Sequence, residues 1–103
     1  MKFVWFLAIY VVSVSTAQAQ SDVRRGRDLV RQLCSGCHAT GRSGNSPHQA
    51  APPFRILGRS FNLDELPRRL ERGILAGHPD MPEFKFSSDD ANAVRDYLRT
   101  IRE

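Results

Sequence analysis

Cys34-Ser35-Gly36-Cys37-His38 decides how the rest of this chain is read. Two thiols separated by two residues, with a histidine directly after, form the spacing CxxCH. In that spacing each sulfur can add to one vinyl group of a porphyrin, and the adjacent imidazole is delivered to the iron from the same side. Three other uses of paired cysteines compete with haem attachment. A redox dithiol expects a preceding strand in a βαβ setting, whereas Arg24 to Leu33 reads as a helix. A structural zinc site takes four nitrogen or sulfur ligands. Cys34 and Cys37 are the only cysteines, and His38, His48 and His78 complete such a set only in an unusual arrangement. A disulfide between the two cysteines would close a very short loop and stabilise little.

The 103 residues leave room for one domain. Its N-terminus has a different character: Met1-Lys2 is positive, Phe3 to Val14 is apolar apart from Ser13, and Ser15-Thr16-Ala17-Gln18-Ala19 is small. That order reads as a secretory signal peptide over residues 1–19, cleaved before Gln20. The alternative is a retained anchor, but the apolar run is shorter than the roughly 20 residues that span a bilayer. No stable membrane insertion is therefore expected after cleavage. Residues 20–103 form a domain whose side chains alone make a marginal core, and a buried macrocycle would add the missing apolar area. The formal net charge is +4, and every basic residue except Lys2 and Lys85 is arginine. Acids are interspersed and aromatics are not interleaved with the bases, so nucleic acid is excluded as a partner. The positive surface instead suits protein partners with acidic docking patches.

Along the mature region, Ser21 is placed to cap a first helix in which Val23, Leu29, Val30 and Leu33 share the apolar side. Gly26 interrupts that side, which suits close approach of another helix. Ala39 to Pro53 is a loop rich in glycine, proline and polar residues, with His48 read as a solvated side chain. Ala51-Pro52-Pro53-Phe54 is stiff and extended, and a carbonyl of Pro52 or Pro53 beside an imidazole N–H would hold His38 in one tautomer. Arg55 and Arg59 are available for haem propionates or for solvent. Asn62 to Leu75 reads as a second helix, with Leu63, Leu66, Leu70 and Ile74 on one face, Asp64 as its cap, and Gly73 and Gly77 at its end. Two prolines around Met81 make a rigid loop that presents the one thioether left after Met1 is removed. Met81 is thus the second axial ligand, with His78 and Lys85 as competing donors. Ser87 caps a last helix whose apolar face is Ala91, Val94, Tyr97, Leu98 and Ile101.

With those pieces in order, the chain resembles a small bacterial class I c-type cytochrome of the monohaem cytochrome c family. The resemblance rests on CSGCH at residues 34–38, APPFR at 51–55, GHPDMPEF at 77–84, and Gly26 with Tyr97 in the terminal helices. It implies an all-α cytochrome c fold over residues 20–103, with three main helices and long loops wrapped around one covalently attached haem. It further implies thioether bonds from Cys34 and Cys37 to one haem c (heme c), iron ligation by His38 and Met81, a Pro52 or Pro53 carbonyl on His38, and Gly26 crossing Tyr97. Trp5 lies in the leader, so the mature region lacks the tryptophan that contacts a propionate in many relatives.

Histidine and methionine ligation fills both axial positions, so the implied function is reversible one-electron transfer rather than catalysis. The expected protein is a periplasmic, monomeric electron carrier with a protein redox donor and acceptor. A haem-bearing subunit of a periplasmic dehydrogenase and a thiol-disulfide oxidoreductase are the rival readings.

Overall fold

The computed structural model describes the backbone of residues 2–73 and 80–103, and the side chains of residues 17–73 and 80–103. The expectations attached to Ile74, Leu75, Gly77 and His78 lie outside the described residues. Regular structure consists of α1 (Lys2–Leu33), α2 (Leu66–Arg72) and α3 (Ser88–Ile101), with two 3₁₀ segments at Phe54–Arg59 and Leu63–Glu65. No strand occurs among the described residues, as the all-α expectation requires. Among those residues, no helix is long and apolar enough to cross a membrane.

One expectation is corrected at the start of α1. Ser21 does not cap a helix, because α1 runs unbroken through it to Leu33. No proline or glycine precedes Gly26, so the backbone meets no breaker there. Gln18 Nε2 donates to Asp22 Oδ1 at 3.2 Å, one turn on, and bridges Ser21. Downstream, Val30 is buried, and Val23 and Leu29 pack partly against the core. Leu33 departs from its periodicity and stays 40% exposed, since it lies in the last turn where the helix opens onto a cavity.

The core forms where α1 meets α3. A Cβ on Gly26 would lie 1.9 Å from the Ala93 carbonyl oxygen and 2.9 Å from Tyr97 Cβ. Only a residue without a side chain permits that backbone approach. Ala91, Ala93, Val94, Tyr97, Leu98 and Ile101 are buried along α3, at the helical spacing expected of its apolar face. Ser87 caps this helix, its side chain accepting from the Asp90 N–H at 3.2 Å. The Arg25 guanidinium donates to both carboxylate oxygens of Asp90, tying the two helices beside their crossing. That hydrogen bond is the main reason the Asp90 carboxyl is held below the ordinary carboxylate range.

The second helix is shorter than its periodicity predicts. Asn62, not Asp64, is the capping residue: its side chain accepts from the Asp64 N–H at 2.9 Å and opens a 3₁₀ turn. The α-helix proper begins at Leu66 with Pro67 in its first turn, where a missing N–H costs nothing. It ends at Gly73, whose φ of 72° is a left-handed conformation that favours glycine. Leu63, Leu66 and Leu70 are buried against the core as expected.

The loop over residues 39–53 is tied down by polar contacts. The Phe54 N–H donates to the Ala39 carbonyl at 3.0 Å, and the Ala39 N–H donates to Ser46 Oγ at 3.0 Å. From α3, the Tyr97 hydroxyl donates to the Thr40 carbonyl at 2.6 Å, while Arg42 reaches the Thr100 carbonyl at 3.0 Å.

Two outcomes follow from the crossing. Gly26→Ala gains up to about 1 kcal/mol of helix propensity but overpacks a backbone contact, a class of change that costs about 1–3 kcal/mol or more. Denaturant unfolding should therefore show a net loss of stability. Asp90 has a lowered pKa in the folded state, so its contribution is present above the unfolded carboxylate value of about 4 and is lost as the pH falls through the folded value. The difference in Tm between the parent protein and Asp90→Asn should be greatest near neutral pH and close on acidification.

Candidate functional site

The end of α1 positions the CxxCH segment. The Cys34 N–H still donates to the Val30 carbonyl at 2.9 Å, and the His38 N–H donates to the Cys34 carbonyl at 2.9 Å. The motif is therefore one more turn wound onto a helix whose direction is set at Gly26. Both cysteines are unpaired and half-buried. Burial, reinforced by neighbouring Cys37, pushes the Cys34 thiol up to about 11. A redox dithiol works the other way, through a thiolate stabilised near neutral pH.

His38 is buried, and its Nδ1 lies 2.7 Å from the Pro52 carbonyl oxygen. A carbonyl only accepts, so Nδ1 carries the proton and Nε2 keeps its lone pair. The ring packs against Phe54, with centroids 4.5 Å apart, which limits its rotation. Of the two candidate carbonyls, Pro52 makes this bond. The Pro53 carbonyl instead accepts from the Ile56 N–H at 3.2 Å and starts the 3₁₀ segment.

Two cavities meet at this histidine. One, of about 350 Å³, is walled by Leu29, Val30, Leu57, Phe61, Leu66, Leu70, Phe86, Val94 and Leu98 from all three helices and the segments between them. The other, of about 270 Å³, is bounded by Leu33, Gly36, Cys37, His48, Ala50, Asp80 and Pro82. Cys34, His38, Met81 and Phe84 line both. The chemistry of this set fits a haem: an apolar slot, two thiols at one end, an imidazole with an available nitrogen, and a thioether on the same walls.

The other residues singled out from sequence divide around this slot. Arg55 and Arg59 line neither cavity. Arg55 donates to the Gly44 carbonyl at 2.8 Å, and both arginines pair with Glu103, so the structure places them at the chain terminus and loop instead of the slot. Arg69, which sequence reasoning passed over, lines the larger cavity, with its guanidinium 5.0 Å above the Phe61 ring. Its signal was available as the polar neighbour of Leu66 and Leu70 on one short helix. His48, read as a solvated loop residue, is also a wall residue. The proline-rich loop folds back so that the His48 N–H donates to the Cys37 carbonyl at 3.1 Å. Lys85 is exposed and lines neither cavity.

Comparison with known proteins bears on the same region. A family model described as "Cytochrome C oxidase, cbb3-type, subunit III" matches residues 21–98. Cytochrome c-552 of Bradyrhizobium diazoefficiens is similar at 27% identity over 96 residues, covering 93% of this chain and 90% of that relative. No solved structure matches the chain.

Proposed function

The chain belongs to the cytochrome c family whose cbb3-type oxidase subunit III model spans residues 21–98, and on that premise we propose that it is a periplasmic monohaem carrier passing single electrons between a protein donor and a protein acceptor. Membership makes it a haem-bearing electron-transfer protein with covalent haem c at the CxxCH cysteines and redox proteins as partners. The observation that carries the finer reading is the 2.7 Å contact between His38 Nδ1 and the Pro52 carbonyl, which leaves Nε2 as a ligand in a slot that Met81 also lines.

In this reading Cys34 and Cys37 would hold the haem through thioethers, and His38 Nε2 and Met81 Sδ would hold its iron. The bound group supplies reversible Fe(II)/Fe(III) exchange, at a potential raised by methionine ligation relative to two histidines. Pro52 and Phe54 hold the imidazole in one tautomer and orientation, so little rearrangement accompanies electron transfer. Pro82 restricts the backbone directly after Met81. The apolar walls exclude water from the slot, which favours the less charged reduced state. Arg69 is the wall cation available to a propionate, since Arg55 and Arg59 are occupied elsewhere.

Residues 1–19 act as the cleaved export signal in this proposal, which brings the cysteines to the compartment where haem c is attached. The excess of arginine suits brief encounters with acidic surfaces on partner proteins, with the carrier itself monomeric. A second reading, a fixed relay on a larger enzyme, has one observation behind it: the matched family is described as a subunit of an oxidase. The match to nearly the full length of cytochrome c-552 favours the free carrier.

Protein matured with haem-attachment machinery should keep its colour after denaturation and show, in the ferric state, the weak far-red band of sulfur ligation to iron. Met81→Ala should abolish that band while leaving covalent attachment intact, and persistence of the band would remove Met81 as the ligand. On native extraction at high salt, the carrier should elute at the size of one chain. Retention with a larger redox protein would favour the subunit reading.

A further inference from the structure

We infer that His48 is a latch that holds the Met81 loop from its N-terminal side through Asp80, a positioning role that rests on Met81 being the axial ligand proposed above. His48 is itself fixed at two points. Its backbone N–H donates to the Cys37 carbonyl at 3.1 Å, and its Nδ1 accepts from the Ala50 N–H at 3.1 Å. Accepting at Nδ1 leaves the proton on Nε2 in the neutral ring, and Nε2 lies 3.5 Å from Asp80 Oδ2. The ring therefore turns its Nε2 side toward the carboxylate beside Met81, a close contact at the outer limit of hydrogen-bond distance.

Downstream of Met81, Pro82 restricts the backbone, and the Phe86 N–H donates to the Leu70 carbonyl at 3.3 Å, anchoring the segment to α2. Upstream, the His48 contact is the tie to the CxxCH side of the slot among the described residues. His48, Asp80 and Met81 wall the same cavity, so a contact between the first two restrains the third. The opposite tautomers of His38 and His48 separate two tasks: the former keeps Nε2 free to bind, and the latter keeps it protonated to donate.

Imidazole added to the ferric holoprotein reads the latch, because it binds only when Met81 withdraws. His48→Ala and Asp80→Ala should each raise its apparent affinity about two- to fivefold, the size expected of a contact between exposed groups. The double variant should rise no further, and His48→Gln, which retains an N–H donor, should return toward the parent value. Unchanged affinity in either single variant, or effects that multiply in the double variant, would overturn the latch. A parent protein that lacks the far-red sulfur band would instead overturn Met81 ligation, and the latch with it. A parent band with no imidazole shift overturns the latch alone.

Discussion

The absence of a side chain at Gly26 is the constraint on which the structure depends. It lets the backbone of α1 come against Ala93 and Tyr97 of α3, closer than any other residue allows. Two helices held at that distance have a defined crossing, and the last turn of α1 leaves it in a defined direction. Cys34 and His38 are extensions of that turn, so the placement of the attachment residues is inherited from a contact two to three turns away. Arg25 with Asp90 reinforces the same crossing from the surface, where an ion pair adds little by itself. Tyr97 extends the crossing further by bonding to Thr40, just beyond the motif.

The slot beside this crossing is built mostly from apolar residues, with a few polar groups whose roles are set by hydrogen-bond direction. His38 and His48 illustrate this. A carbonyl at Nδ1 gives His38 a free Nε2, whereas an N–H at Nδ1 gives His48 a protonated one. Each choice is imposed by backbone groups of the same loop, residues 48–52, in which Pro52 brings a carbonyl without an N–H of its own. A cluster of this kind does not need charged side chains to specify chemistry.

Much of this is legible in the sequence. CxxCH, the Pro52-Pro53 pair, the cap at Ser87 and the apolar face of α3 are local patterns whose geometry follows from a few neighbouring residues. The pairing of Gly26 with Tyr97 is long-range, yet it was visible because a glycine inside an amphipathic helix has few other uses. The errors have a common cause. Ser21 is a good cap only where a helix begins, and in the chain with residues 1–19 attached α1 continues through it. The leucine periodicity of α2 could not register that its first turn, from Asn62, would be 3₁₀, whereas Gly73 ends the helix as expected. Arg55 and Arg59, matched to propionates by charge alone, stand beside Glu103, far away in sequence.

The sequence by itself determined the covalent chemistry, the all-α class and the partners of the terminal helices, because thiol spacing, side-chain periodicity and a missing Cβ are written residue by residue. Only the tertiary structure decided which proline carbonyl meets His38, which arginine borders the slot, and that His48 stands in its wall. Those depend on how loops close in three dimensions, where several donors and acceptors of equal chemistry compete and packing selects among them.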